Sequence, residues 1–283
     1  MPFETASEIL EHPFCQGIIT TAKTLDQHPY CVIAQPRRTK SWQPVQNVWE
    51  PNIHLQFPFA LKFQYATVDG LPVDVARNKL FQHALNEKAK YILFIDDDTM
   101  LPWNAISRLL WVASTGKPIV TGVYCSKGEI NTLAANWDKT TGWITPINES
   151  DIGVIEINWI VGMGCMLIDL NAVRTIVQQI PEIPLAFMPY NPTEKKPHFG
   201  EDFYFVQRAI NAGIPVHMDT TIRCLHVDVN TGNYWCPEST IVDENIYRGN
   251  YKLAHRNTIV PAIKQSDKVI TETVNNVDAP HLE

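Results

Sequence analysis

Apolar residues fall in short dense runs separated by stretches of helical period, and the two kinds follow one another along most of the chain from Tyr30 onward. Tyr30 to Ala34, closed by Pro36, predicts a buried first strand, with the basic pair Arg37-Arg38 just past its end. Leu61 to Val68 predicts a second strand; Asp69-Gly70 then turns the chain, and Asp74 is placed to cap a helix reaching about Lys88. Val75, Leu80, Ala84 and Leu85 give that helix its apolar stripe, and Arg77 and Asn78 fall in its first turn. Tyr91 to Ile95 is the strongest strand signal in the chain, and it runs straight into Asp96-Asp97-Asp98. Pro102 opens a helix with Ile106, Leu109, Leu110 and Ala113 on one side, Gly116 stops it, and Pro118 to Tyr124 returns as a strand.

Val154 to Leu170 reads as a long strand-rich stretch containing Gly162-Met-Gly164, and Asn171 to Gln179 as a helix. After a proline-rich loop, His198-Phe-Gly-Glu-Asp202 leads into a helix ending at Gly213, and Ile214 to Met218 and Thr221 to Val227 are closing strands. Strand and helix in alternation predict an α/β fold with a mostly parallel central sheet and helices on both faces. The core is expected to end near residue 240, giving a single domain over 1–240 and a partly helical or flexible C-terminal extension over 241–283. Residues 1–28 give no firm element.

Composition narrows the function. A net charge of -7 argues against a protein whose main ligand is nucleic acid, because holding a phosphate backbone needs clustered Lys and Arg. A small anionic ligand would need a local cation, such as a metal, to offset the carboxylates around it. The six cysteines (Cys15, Cys31, Cys125, Cys165, Cys224, Cys236) form no CxxC pair and are expected to be reduced core thiols. No signal-peptide pattern opens the chain and no apolar run approaches the ~20 residues that span a bilayer, so the expected location is the cytoplasm, or a host's cytoplasm.

Three adjacent acids at the carboxyl end of a strand sit where open α/β sheets bind ligands. Their mutual repulsion asks for a compensating cation, and a divalent ion on oxygen ligands is the natural one. The bland alternative is a solvated turn or a helix cap. Glu201 and Asp202 fall in the first turn of a helix, where the macrodipole keeps a carboxylate ionised and able to act as a general base, although acids also sit there for stability alone. Arg77 opposes the dipole of its own helix, a mismatch that a phosphate or the Asp96–Asp98 cluster would offset. His226 ends a late strand, and imidazole is a common ligand for Mn²⁺-like ions, though a lone histidine is usually structural.

Taken in order, Val73-Asp-Val-Ala-Arg-Asn78, Leu93-Phe-Ile-Asp-Asp-Asp98, Gly162-Met-Gly-Cys-Met-Leu167, Gly200-Glu-Asp202 and His226 resemble the GT-A fold glycosyltransferases, particularly small bacterial and phage-encoded enzymes of the inverting type. The resemblance covers about residues 30–230. It implies a nucleotide-diphosphate sugar as donor, a carbohydrate or other hydroxyl acceptor, and a divalent metal, Mn²⁺ or Mg²⁺. Asp98 matches the metal ligand, Asp96 a group shared between metal and ribose, and His226 a further metal ligand. Asp202 matches the catalytic base and Glu201 an orienting partner. Arg77, Asn78, Asp97, Gly162 and Gly164 are expected around the donor, the glycines because they would let backbone approach the sugar closely. Trp159 is a candidate to stack on the acceptor. The segment holding Trp42 and Trp49 and the stretch through Trp235 and Cys236 match nothing in the pattern. Two rivals remain at this point: a binding protein that keeps the fold without turnover, and a phosphatase of the haloacid dehalogenase type. The latter resembles Asp-x-Asp-x-Thr near the N-terminus, whereas Met100 stands in the threonine place here.

Overall fold

The computed structural model describes residues 30–38, 61–123, 125–126, 132–147, 151–174, 176, 200–227 and 234–235. The expectations for residues 1–28 and 241–283, for His198, Trp42, Trp49, Cys15 and Cys236, and for the end of the 171–179 helix lie outside the described residues.

The first half of the chain supplies β1 (Cys31–Arg37), β2 (Phe63–Asp69), α1 (Val73–Asn86), β3 (Tyr91–Ile95), β4 (Thr99–Met100), α2 (Ala105–Ser114) and β5 (Ile119–Val123). The second half supplies β6 (Ala134–Trp137), β7 (Ile144–Pro146), β8 (Val154–Ile157), β9 (Ile160–Val161), β10 (Cys165–Asp169), α3 (Glu201–Asn211), β11 (Val216–Arg223), β12 (Leu225–Val227) and β13 (Tyr234–Trp235). Seven strands make the central sheet in the order β2-β1-β3-β10-β5-β11-β8, and two three-stranded sheets, β13-β12-β4 and β7-β6-β9, flank it.

Five strands of the central sheet run one way, but β10 enters its middle antiparallel to both β3 and β5, and β8 runs against β11 at the edge. The sheet is thus mostly parallel, as the alternation predicts, with β10 and β8 as the two exceptions. Among the described residues between β5 and β10 the chain builds the strands β6, β7, β8 and β9 and no helix, and only a parallel return needs a crossover. The long stretch from Val154 accordingly breaks into β8, β9 and β10.

Alternation along the strands divides the core into two layers. Val32, Ala34, Ile92, Phe94, Met166 and Ile168 pack with Leu80, Phe81 and Ala84 of α1 and with Phe205, Val206 and Ala209 of α3. The intervening Cys31, Ile33, Leu93, Cys165 and Leu167 pack on the other face with Ile106, Leu109 and Leu110 of α2. Burial on both faces explains why β1, β3 and β5 read as unbroken apolar runs. Cys31, Cys125, Cys165 and Cys224 are buried free thiols, as expected.

Local differences have local causes. β1 continues through Pro36 to Arg37, which is buried within the strand instead of lying past its end. Pairing with β3 stops at Ala34, so Pro36 falls where β2 is the remaining neighbour and the missing N–H costs little. α1 starts after Pro72 with no side-chain cap; Asp74 lies buried in its first turn, and the helix ends at Asn86, short of Lys88. β11 carries a register irregularity between Asp219 and Arg223. Gly122 accommodates it, since a Cβ there would come within 2.9 Å of Ile222. Among the described residues no helix is long and apolar enough to cross a membrane.

Candidate functional site

β3 ends at Ile95, and the chain leaves the sheet with the Asp96 N–H held by the carbonyl of Gly164 at 3.1 Å. Thr99 N–H then bonds the Asp96 carbonyl, also at 3.1 Å, turning the acidic triplet back on itself. β4 follows at once and pairs antiparallel with β12, which sets Thr99 opposite His226, while Val227 N–H donates to the Asp98 carbonyl at 2.7 Å. This small sheet is how a histidine late in the chain reaches the triplet. His226 Nε2 lies 3.3 Å from Asp98 Oδ2, and Nδ1 lies 2.9 Å from the Cys125 carbonyl. A carbonyl only accepts, so Nδ1 carries a proton and Nε2 is the nitrogen turned toward the carboxylate.

α1 and α3 close the other side. Arg77 donates to Asp96 Oδ1 at 2.7 Å and to Glu201 Oε1. Its side chain is 3% exposed. The cation that opposed its own helix dipole is thus compensated by two carboxylates. Burial pulls its pKa down, but Asp96, Glu201 and Asp202 outweigh that and raise it, so it stays charged.

Asp202 follows Glu201 in the first turn of α3, with Oδ1 accepting from the Phe203 N–H at 2.8 Å. Burial pushes its carboxyl up to about 6, opposed by Arg77 and reinforced by Glu201. The helix dipole, expected to keep this acid ionised, is outweighed by desolvation. Gly200 approaches closely: a Cβ there would come 2.6 Å from Asp202 Oδ1.

Arg37 and Arg38 line the same cleft, a space of about 410 Å³. Arg38 pairs with Asp98 Oδ2, reaches Asp97 Oδ1 at 3.6 Å, and donates its backbone N–H to Asp97 Oδ2 at 2.9 Å. Burial would lower the pKa of Arg38, but Asp98 and Asp97 outweigh it and raise it. Burial also raises Asp97, against the pull of Arg38. Of the residues singled out from the sequence, Arg77, Asp96, Asp97, Asp98, Glu201, Asp202 and His226 line this cleft together. Asn78, Gly162 and Gly164 are not among its lining residues; Gly164 acts on it through the Asp96 N–H. Trp159 packs against Trp137 with ring centroids 5.0 Å apart, and its carbonyl accepts from Gln207 of α3. The part played by Arg38 was not read from the sequence, where the only sign was a basic pair at the end of the first strand.

A second hollow of about 400 Å³ lies on the small sheet around Asn136, Trp137 and Asn158. Asn136 and Asn158 are committed there to backbone N–H groups, since Asn158 Oδ1 accepts from Trp137 and Asn136 Oδ1 from Asn158, each at 2.7 Å. Asp138, which also lines it, accepts from the Thr140 N–H and the Thr141 hydroxyl, each at 2.8 Å.

No protein-family model matches the chain, and no curated protein matches it in sequence. Among solved structures, A197 from STIV aligns over 75% of this chain and 96% of its own, with 17% identity and a TM-score of 0.48. A glycosyltransferase involved in the glycosylation of the major capsid of PBCV-1 aligns over 57% of this chain and 71% of its own, with 15% identity and a TM-score of 0.32. At such scores neither likeness bears on what this chain does.

Proposed function

We propose that the protein is a glycosyltransferase that moves a sugar from a nucleoside-diphosphate donor to an acceptor hydroxyl, inverting the anomeric carbon, with Asp202 as base. The observation that carries this reading is one cleft with two chemically different ends. At one, Asp98 Oδ2 and His226 Nε2 stand 3.3 Å apart; at the other is a carboxyl with a pKa of about 6, suited to accepting a proton near neutrality.

The first end fits a divalent cation. It offers a carboxylate oxygen and an imidazole nitrogen whose tautomer the Cys125 carbonyl fixes, a mixed set that suits Mn²⁺ better than Mg²⁺. Among the described residues no three His, Cys, Asp or Glu side chains converge as a metal site, so donor oxygens and water would supply the remaining ligands. Bound there, the cation would offset the charge of the diphosphate.

Asp202 takes the proton of the acceptor hydroxyl as its oxygen bonds to the anomeric carbon, and the bond from that carbon to the diphosphate breaks with its electron pair leaving on the phosphate. Glu201 is less suited to this role because its Oε1 is committed to Arg77. Arg77, locked between Asp96 and Glu201, holds the two ends of the cleft in register. Asp96 keeps a second oxygen for the donor, and its engagement by a buried guanidinium makes it a poor nucleophile, which disfavours the phosphatase rival.

The test is a panel of nucleotide sugars incubated with Mn²⁺, following release of nucleoside diphosphate with and without EDTA. Release from one donor, abolished by EDTA, is expected, and His226→Ala should raise the Mn²⁺ needed for half-maximal rate about tenfold or more. Binding of a donor without turnover by any condition would point instead to a carbohydrate- or nucleotide-binding protein. Gly200→Ala gives a finer check. The atom that must move is the end of the Asp202 side chain, so stability should change by less than about 1 kcal/mol. A base displaced by about 1 Å should nonetheless lower kcat on the order of 10²-fold.

A further inference from the structure

We propose that Arg38 is a resident counter-cation for Asp98, displaced when a divalent ion binds, so that the metal is held tightly only once something anionic has drawn the guanidinium away. The proposal rests on the reading of Asp98 and His226 as metal ligands. Arg38 pairs with Asp98 through Oδ2, the same oxygen that faces His226 Nε2 at 3.3 Å. Guanidinium and metal would therefore compete for one carboxylate oxygen. Asp97 and Asp98 are both buried, and buried carboxylates left without a cation are costly, so the position calls for positive charge whether or not a metal is present.

The two arginines of the cleft are held in opposite ways. The side chain of Arg77 is 3% exposed and fixed between two acids, whereas that of Arg38 is 59% exposed. The backbone of Arg38 is anchored separately, by its N–H on Asp97 Oδ2 at 2.9 Å. Its guanidinium can swing off Asp98 without disturbing the end of β1. Once released it stays tethered at the rim of the cleft, and a planar guanidinium there matches a diphosphate in bidentate fashion. Metal and diphosphate would then bind cooperatively, each favouring the state in which Arg38 has left Asp98.

The experiment is a titration of the full chain with Mn²⁺ alone, followed by the electron paramagnetic resonance signal of free Mn²⁺, for wild type, Arg38→Gln and Arg38→Lys. Removing the competing charge should tighten Mn²⁺ binding about tenfold or more in Arg38→Gln, while Arg38→Lys, which keeps a cation, should stay closer to wild type. Thermal unfolding checks the same point without ligand affinity: in EDTA Arg38→Gln should melt below wild type, and added Mn²⁺ should raise its midpoint by more. Equal Mn²⁺ affinity in all three proteins overturns the proposal and leaves the metal reading standing. Failure of all three to bind Mn²⁺ at millimolar concentration overturns the metal reading, and the proposal with it.

Discussion

Asp202→Asn is expected to lower kcat/KM about 10³-fold, within the range of losing a general base, while making the protein more stable at pH 8. The two effects share one cause. Burial raises the Asp202 carboxyl from its ordinary 3.8 to about 6, so the folded protein favours the protonated form. The resulting stabilisation is fully present below the unfolded pKa and is lost as pH rises through about 6. Above that, the ionised group costs up to about 3 kcal/mol, and solvent reaching this half-buried side chain reduces the figure to about 1–2 kcal/mol. Asparagine is never charged and can still accept the Phe203 N–H, so urea unfolding should show the variant ahead by that amount at pH 8 and level with wild type near pH 4. In activity, wild-type kcat/KM should climb about tenfold per pH unit up to about 6 and then flatten, and the residual rate of the variant should lack that rise. A variant less stable than wild type at pH 8 would sink the burial argument.

What could be read from the sequence was what local pattern dictates. The run Tyr91 to Ile95 is apolar because β3 is covered on both faces, and a strand so buried must deliver Asp96 to Asp98 at its open end. Arg77 was legible as a physical oddity, a cation in the wrong turn of a helix; of its two partners the acidic cluster was foreseen and Glu201 was not. The pairing of Asp98 with His226 depends on β4 and β12, strands of two and three residues, too short to show any period. β10 reads as a strand, but nothing in an apolar run states whether it lies parallel or antiparallel to β3. The raised pKa of Asp202 has no sign in the sequence, which displays the helix N-terminus, whose dipole lowers it, and not the burial, which raises it more.

Arg77→Met is expected to destabilise the protein by about 3–5 kcal/mol at pH 7, the cost of leaving a buried ion network without its cation. Methionine fills much of the same volume, so the loss reports the two carboxylates left behind. Two comparisons separate charge from packing. Arg77→Lys restores the charge, but one ammonium cannot reproduce a fork that spans Asp96 Oδ1 and Glu201 Oε1, so it should recover only part of the loss. Adding Glu201→Gln to Arg77→Met removes one stranded charge and should recover a further part. Urea unfolding of the four proteins measures this; a Met variant within about 1 kcal/mol of wild type would mean that Arg77 is not the electrostatic centre of the site. The same variant bears on the base. Arg77 is the largest influence holding the Asp202 carboxyl down against its burial, so without it the carboxyl should titrate above 6. Whatever activity Arg77→Met retains should then show its rise in kcat/KM at higher pH than wild type, a shift that loss of stability alone cannot produce.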